Sequence, residues 1–368
     1  MTTQSNSDLQ TQSSRSVINK INDFLATPHY VALLAVLTAA SNLFALELPY
    51  YTLIAALCLY VCIFGRDLLP LAPYFAFCYM SPSIGNNPGQ NQDSIFSAPG
   101  TRVYILCLGA ILALSVLYRI IRCRKQFFRK NALFSGMVVL GCAYLIGGLG
   151  SAAFPNMLAK NTLFALMQCG AVILPYWLLC GGVDWKTARR DYLAWIGFSA
   201  GGILLFEILG IYLQNNVIID GTIYRDYIYT GWGIHNNLGG MLAMMIPFAF
   251  FLATKYHKGW IGTVVGSAFY IGVLLTCSRS SILVGSIIYL VCITLMLHYA
   301  RNRRHNTIAL ITVIGTIILA LVLFHKQLLV LFSDLLDMGM DPSSRDTIYM
   351  EGLESFVQAP LFGNSFYS

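Results

Sequence analysis

Apolar segments close to twenty residues long recur eleven times between residues 29 and 324, separated mostly by short polar connections. A helix of about 20 apolar residues crosses the roughly 30 Å hydrocarbon core of a bilayer, so this recurrence dictates a polytopic helical membrane protein. The segments lie near 29–47, 49–65, 68–81, 101–119, 131–151, 160–181, 193–213, 236–254, 261–277, 281–298 and 307–324. The third carries Pro70 and Pro73 in a short apolar run, which reads as a kinked or re-entrant helix. Composition agrees. With 57% hydrophobic and 11% charged side chains, the 368 residues hold too few charges to cover a soluble protein. A cytosolic enzyme, a nucleic-acid-binding protein and a secreted disulfide scaffold are thereby excluded. The fold class expected is all-α: a membrane helical bundle of about eleven transmembrane helices with a partly helical external loop.

The basic residues set the sidedness. Of 23 Lys and Arg, only Arg102, Lys160, Arg225, Arg279, Lys326 and Arg345 fall on one set of alternate loops, and the rest fall on the other. By the positive-inside rule the N-terminus is cytoplasmic. Keeping the third segment as a span is part of this assignment, since deleting it would place the cluster from Arg119 to Lys130 outside.

Three domains follow: a cytoplasmic polar tail over 1–28, a transmembrane helical domain over 29–324, and the start of a large external loop over 325–368. Within that loop, Asp341-Pro342-Ser343-Ser344-Arg345-Asp346 reads as a helix start, with Ser343 and Asp346 as a capping-box-like pair. The helix is expected over about 343–358, with Tyr349, Leu353 and Phe356 on one apolar face. An eleventh span crosses outward and no later one returns, so the chain reads as the N-terminal portion of something longer. The ten cysteines lie in or beside spans, and neither a disulfide framework nor a metal-binding spacing emerges. Walker, dinucleotide-binding and zinc-hydrolase motifs are absent from the sequence. No metal and no cofactor is expected.

A few polar residues remain that topology does not explain. Arg279, in Thr276-Cys277-Ser278-Arg279-Ser280-Ser281, occupies a tight polar hairpin between two apolar spans at the external interface. An arginine so close to hydrocarbon is costly unless it snorkels, pairs or lines a polar cavity. Arg225 shares an external loop with several tyrosines and Trp232, either as part of an interfacial aromatic belt or as a ligand residue. Arg345 opens the loop helix, where a cation opposes the helix dipole and calls for an anionic partner. His235 stands at the external mouth of the eighth span among glycines, as a base or as part of a His-Asn-Asn cap. Glu207 is the one acid inside a span, in a paired structural role or in a cavity. Guanidinium groups converging at headgroup depth suit a phosphate or pyrophosphate, which planar, permanently charged forks bind bidentately.

These residues fall in segments that resemble the O-antigen ligase and O-antigen polymerase superfamily of bacterial envelope glycosyltransferases. The stretch Trp232-Gly233-Ile234-His235-Asn236-Asn237-Leu238-Gly239-Gly240 resembles the family's glycine/asparagine motif opening a span, and Thr276-Cys277-Ser278-Arg279 its Thr-x-Ser-Arg motif. Arg345 through Ala359-Pro360-Leu361-Phe362-Gly363 resembles the Arg…Pro-Leu-x-Gly segment of the external loop, although Asn364-Ser365 follow where the family usually continues Val-Gly. The likeness covers about 225–368. It implies a glycan donor linked to undecaprenyl pyrophosphate, a saccharide, lipid or wall acceptor, and metal-independent inverting transfer at the external face of the cytoplasmic membrane. It also implies pyrophosphate binding by Arg279, Arg225 and Arg345 and a catalytic base on a loop histidine that would fall past Ser368; His235 is the best-placed base within this sequence, or else holds a neighbouring structural position. The rival from another class is a multi-span polysaccharide or lipid transporter, with Arg279 and Glu207 lining its path.

Overall fold

The computed structural model describes residues 17–44, 46–77, 99–127, 132–147, 166, 169–170, 173–186, 191–214, 217–219, 222–224, 227–230, 233–323, 345–358 and 360. Helices dominate: α1 (Val17–Leu25), α2 (Pro28–Phe44), α3 (Glu47–Phe64), a 3-10 turn (Leu69–Leu71), α4 (Ala72–Phe77), α5 (Pro99–Arg122), α6 (Arg124–Phe127) and α7 (Ala132–Gly147). They continue with α8 (Ile173–Gly182), α9 (Tyr192–Gln214), α10 (His235–Lys255), α11 (Trp260–Leu275), α12 (Arg279–Tyr299), α13 (Arg303–Leu323) and α14 (Arg345–Gln358). The protein is all-α apart from two antiparallel pairs of two-residue strands between α9 and α10: β1 (Ile218–Ile219) with β2 (Thr222–Ile223), and β3 (Tyr229–Thr230) with β4 (Gly233–Ile234).

Among the described residues, Val103–Arg122, Tyr192–Leu213, His235–Lys255 and Arg279–Tyr299 are long and apolar enough to cross a membrane. The α1–α2 pair, bent by 72°, makes a fifth if counted as one span. Leu48–Phe64, Phe134–Ile146, Ile173–Gly182 and Trp260–Leu275 are apolar but shorter. Of the proline-bearing third segment, the described residues form the 3-10 turn and α4, whose nine residues rise about 15 Å; residues 78–81 lie outside the described residues. Both prolines sit at the start of a helical piece, where the missing N–H costs nothing. Part of the expected polar tail is also helical. α1 buries Asn22 and Leu25, and Asn22 Nδ2 donates to the Phe64 carbonyl at 3.1 Å.

The chain forms two compact units, Met1–Tyr118 with Trp185–Leu335, and Arg119–Asp184 with Leu336–Ser368. In the second, Trp177 Nε1 donates to the Phe127 carbonyl at 3.2 Å, with the two rings 5.6 Å apart. The helix expected over 343–358 is α14, beginning at Arg345; Ser343 lies outside the described residues. Its apolar residues Tyr349, Leu353 and Phe356 are exposed.

The core of the first unit forms around α10, which packs against α9, α11 and α12. Leu204, Ile208 and Ile211 of α9 meet Leu238, Leu242 and Ile246 of α10, with Phe269 and Val273 of α11 and Met296 of α12 completing the cluster. Lipid offers apolar side chains no hydrophobic gain over one another, so close backbone approach matters more here. Gly262 and Gly266, one turn apart on α11, provide it: a Cβ at Gly262 would lie 2.6 Å from the Ala249 carbonyl oxygen of α10. Several polar groups at this depth are paired. Ser267 and Tyr289 hydroxyls lie 2.9 Å apart, Tyr270 and Ser286 hydroxyls 2.8 Å apart, and the Tyr270 and Tyr289 rings stack at 4.4 Å.

The helix ends of this unit sort into two groups. At one end Tyr192 donates to the Leu25 carbonyl at 3.0 Å, Lys255 Nζ lies 3.5 Å from Asp191 Oδ1, and the Tyr256 hydroxyl donates to Asp191 Oδ2. There too Arg301 N donates to Thr254 at 3.2 Å and Asn306 Nδ2 to Ala253 at 3.1 Å. This end gathers Lys20, Arg66, Lys255, Lys258, Arg301, Arg303 and Arg304 and is the basic end. At the opposite end α9 and α11 finish and α10 and α12 begin. Val217 and Ile228, flanking the small strands, are fully buried against the core there and pin the α9–α10 connection over the bundle.

Candidate functional site

At the end opposite the basic one, α11 stops at Leu275 and α12 starts at Arg279, leaving three residues to reverse the chain. Cys277 achieves this with φ +53°, the single non-glycine positive φ among the described residues, at a cost of about 1–2 kcal/mol. Hydroxyls stabilise the turn. Thr276 Oγ1 donates to the Val273 carbonyl at 2.7 Å and Ser278 Oγ to Ser281 Oγ at 2.9 Å, all three being buried. Tyr212, near the end of α9, donates to the Leu275 carbonyl at 2.6 Å and ties α9 to the same turn.

α10 begins beside it. Gly233 holds φ +114°, a conformation L side chains rarely adopt, and Asn237 Nδ2 lies 2.6 Å from where its Cβ would be. Ile234 occupies the N-cap in an extended conformation and His235 is the first helical residue. The capping alternative for His-Asn-Asn is therefore corrected: all three residues lie inside the helix, and the N-cap offers no side-chain acceptor. His235 is buried, at 6% exposure, while Asn236 and Asn237 are exposed.

The two segments are in contact. Ser281 Oγ donates to the Asn236 carbonyl at 3.2 Å. A Cβ on Gly239 would lie 2.6 Å from Thr276 Oγ1, 2.7 Å from Ser281 Cβ and 2.8 Å from Ser281 Oγ. With Thr276 and Ser281 both buried, these atoms have little room to retreat. Gly239→Ala should therefore destabilise the protein by about 1–3 kcal/mol despite alanine's better helix propensity, read as a lower thermal unfolding midpoint in detergent. An unchanged or raised midpoint would show that the two segments do not touch.

This contact aligns two helix N-termini side by side. Neither Ile234 nor Ser278, the N-cap residues of α10 and α12, makes a side-chain capping hydrogen bond, and both dipoles place partial positive charge at the same end. Arg279, first residue of α12, adds a full positive charge and is exposed. Such an arrangement is chemically fitted to an anion held by backbone N–H groups and one guanidinium.

The other candidates are placed less directly. Glu207 is buried at 2% exposure on α9, five residues before Tyr212 and so about 7.5 Å deeper along the helix. Arg225 lies outside the described residues. Arg345 is the first residue of α14 in the second unit. The structure thus joins His235 to the turn that carries Arg279, through Asn236, Gly239 and Ser281. Tyr212 and the two serine hydroxyls are additions that sequence reasoning did not assign roles; the signal for Tyr212 was a polar-tipped aromatic at the end of a span. Among the described residues no group of three or more His, Cys, Asp or Glu is arranged to hold a metal ion. Comparison with protein families, curated proteins and solved structures gives no match.

Proposed function

We propose that the protein is a membrane glycosyltransferase of eleven spans that moves a glycan from an undecaprenyl-pyrophosphate carrier to an acceptor sugar, as a polysaccharide polymerase or ligase. In this reading it resides in the bacterial cytoplasmic membrane with its N-terminus cytoplasmic and its site at the external face. The observation that supports it is the seating of Gly239 against Thr276 and Ser281, which gathers Arg279 and two uncapped helix N-termini at one end of the bundle.

The chemistry follows from that arrangement. A sugar linked to pyrophosphate already has a good leaving group, so the main demand is stabilisation of departing negative charge. Arg279 forks onto the pyrophosphate, supplying what a divalent cation supplies elsewhere, and the helix N-termini add partial positive charge. His235 takes the proton of the acceptor hydroxyl as it attacks the anomeric carbon from the opposite face. The bond to pyrophosphate breaks, a glycosidic bond forms with inversion, and the carrier leaves as undecaprenyl pyrophosphate. Arg225 is a further pyrophosphate contact in this scheme, and Glu207 is a candidate to line a cavity beneath it.

The test is purified protein incubated with a synthetic undecaprenyl-pyrophosphate oligosaccharide, with and without EDTA. Longer glycans and released carrier at equal rates in both are expected. Flux of the substrate across vesicles with no covalent turnover would instead establish the transporter.

A further inference from the structure

A second place with room for a ligand lies away from the α11–α12 turn. The glycines of α11 draw it onto α10, and its other face, with Trp260, Val264 and Ala268, meets α13 across a gap. α13 is held beside α10 by Asn306, whose Nδ2 donates to the Ala253 carbonyl at 3.1 Å, and it presents His305, Ile308 and Ala309 to that gap. Between the two helices is a cleft of about 610 Å³ with almost wholly apolar walls. Trp260 and His305 stand at its mouth, in the first turns of α11 and α13, at the basic end of the unit.

The mouth is cationic. Lys258, two residues before Trp260, and Arg304, adjacent to His305, are both exposed. Arg301 lies in the α12–α13 connection and Arg303 begins α13, with Arg303 Nη2 donating to the His298 carbonyl. The sequence contains no Asp or Glu from residue 227 to residue 333, so neither helix forming the cleft brings a carboxylate to oppose these charges. Dry walls between two spans accept a hydrocarbon chain. An indole at their rim and basic groups beyond it match the depth and charge of an anionic headgroup.

We infer that the α11–α13 cleft binds an anionic glycerophospholipid, with one acyl chain between Val264, Ala268, Ile308 and Ala309 and the phosphate at Lys258, Arg304 and His305. This site lies at the opposite end of the unit from Arg279 and stands independently of the proposed transfer reaction.

The experiment is native mass spectrometry of the full chain in detergent, titrated with phosphatidylglycerol or with phosphatidylcholine of the same chains. Phosphatidylglycerol should be retained preferentially, and Lys258→Gln and Arg304→Gln should each reduce that preference about fivefold. Ala309→Phe fills the cleft and should lower retention of both lipids; Ala268→Leu does the same from the opposite wall if the first variant misfolds. Ile311→Phe adds bulk at an exposed position outside the cleft and should leave retention unchanged. Equal retention of the two lipids by the unaltered protein, or retention indifferent to both cleft-filling changes, would overturn the inference.

Discussion

Arg279→Lys is expected to slow glycan transfer from lipid pyrophosphate by about 10²–10³-fold while leaving the folded protein intact. The two halves of this expectation rest on different observations. Arg279 is exposed at the first turn of α12, so its replacement removes no buried contact and should shift stability by no more than about 0.5 kcal/mol. Lysine keeps the charge but replaces a planar fork with a point charge, and so cannot make the second hydrogen bond that the proposed pyrophosphate contact requires. Initial rates with synthetic donor, alongside thermal unfolding in the same detergent, separate the two effects. Transfer at the unaltered rate would eliminate bidentate binding at this position, and a collapse in unfolding temperature would reveal a structural role.

The largest loss of stability should follow Gly262→Leu. A Cβ there lies 2.6 Å from the Ala249 carbonyl oxygen and 2.8 Å from the Ala253 nitrogen, and both are backbone atoms of α10. α10 has no direction of retreat, since α9 and α12 pack on its remaining flanks. Separating the helices by the width of a side chain costs about 3 kcal/mol through lost packing along the whole α10–α11 seam. Gly315→Leu is the matched control, because nothing lies within 4 Å of its would-be Cβ on α13. It should be neutral or slightly stabilising, by up to about 1 kcal/mol from removal of a helix glycine. Comparable midpoints for the two variants would mean that α10 and α11 are not in backbone contact.

Helix positions were legible in the sequence because the bilayer imposes them. The span expected over 193–213 is Tyr192–Gln214, and that over 281–298 is Arg279–Tyr299, each ending where polar residues resume. The two prolines pointed to an irregular third segment, and its described residues form a 3-10 turn followed by six helical residues. α1 was overlooked since Gln, Ser and Asn dominate its surroundings, although Val17, Ile21 and Phe24 fall on one helical face. The first small hairpin did leave a trace, Asp220-Gly221 between Ile219 and Thr222, but two-residue strands are too short to show alternation. For the candidate site, the sequence nominated His235 and Arg279 separately. Their common end rests on a glycine, a serine hydroxyl and a backbone carbonyl, forty-odd residues apart in the chain, and no periodicity encodes such a pairing.

The three-residue reversal between α11 and α12 also bears on how the protein enters its membrane. In the proposed orientation, two apolar helices joined this tightly would insert as one hairpin, with the turn as the leading edge. With the turn on the external face, as proposed, Arg279 would cross the hydrocarbon at a transient cost of about 2.5–3.5 kcal/mol at the bilayer centre, which the leucine, isoleucine and valine side chains of its own two helices would offset. Lengthening the turn with further charges would burden translocation of the pair before any folded site existed to be perturbed. In that orientation the brevity of Thr276-Cys277-Ser278, and the left-handed residue needed to close it, would serve biogenesis as well as the finished bundle.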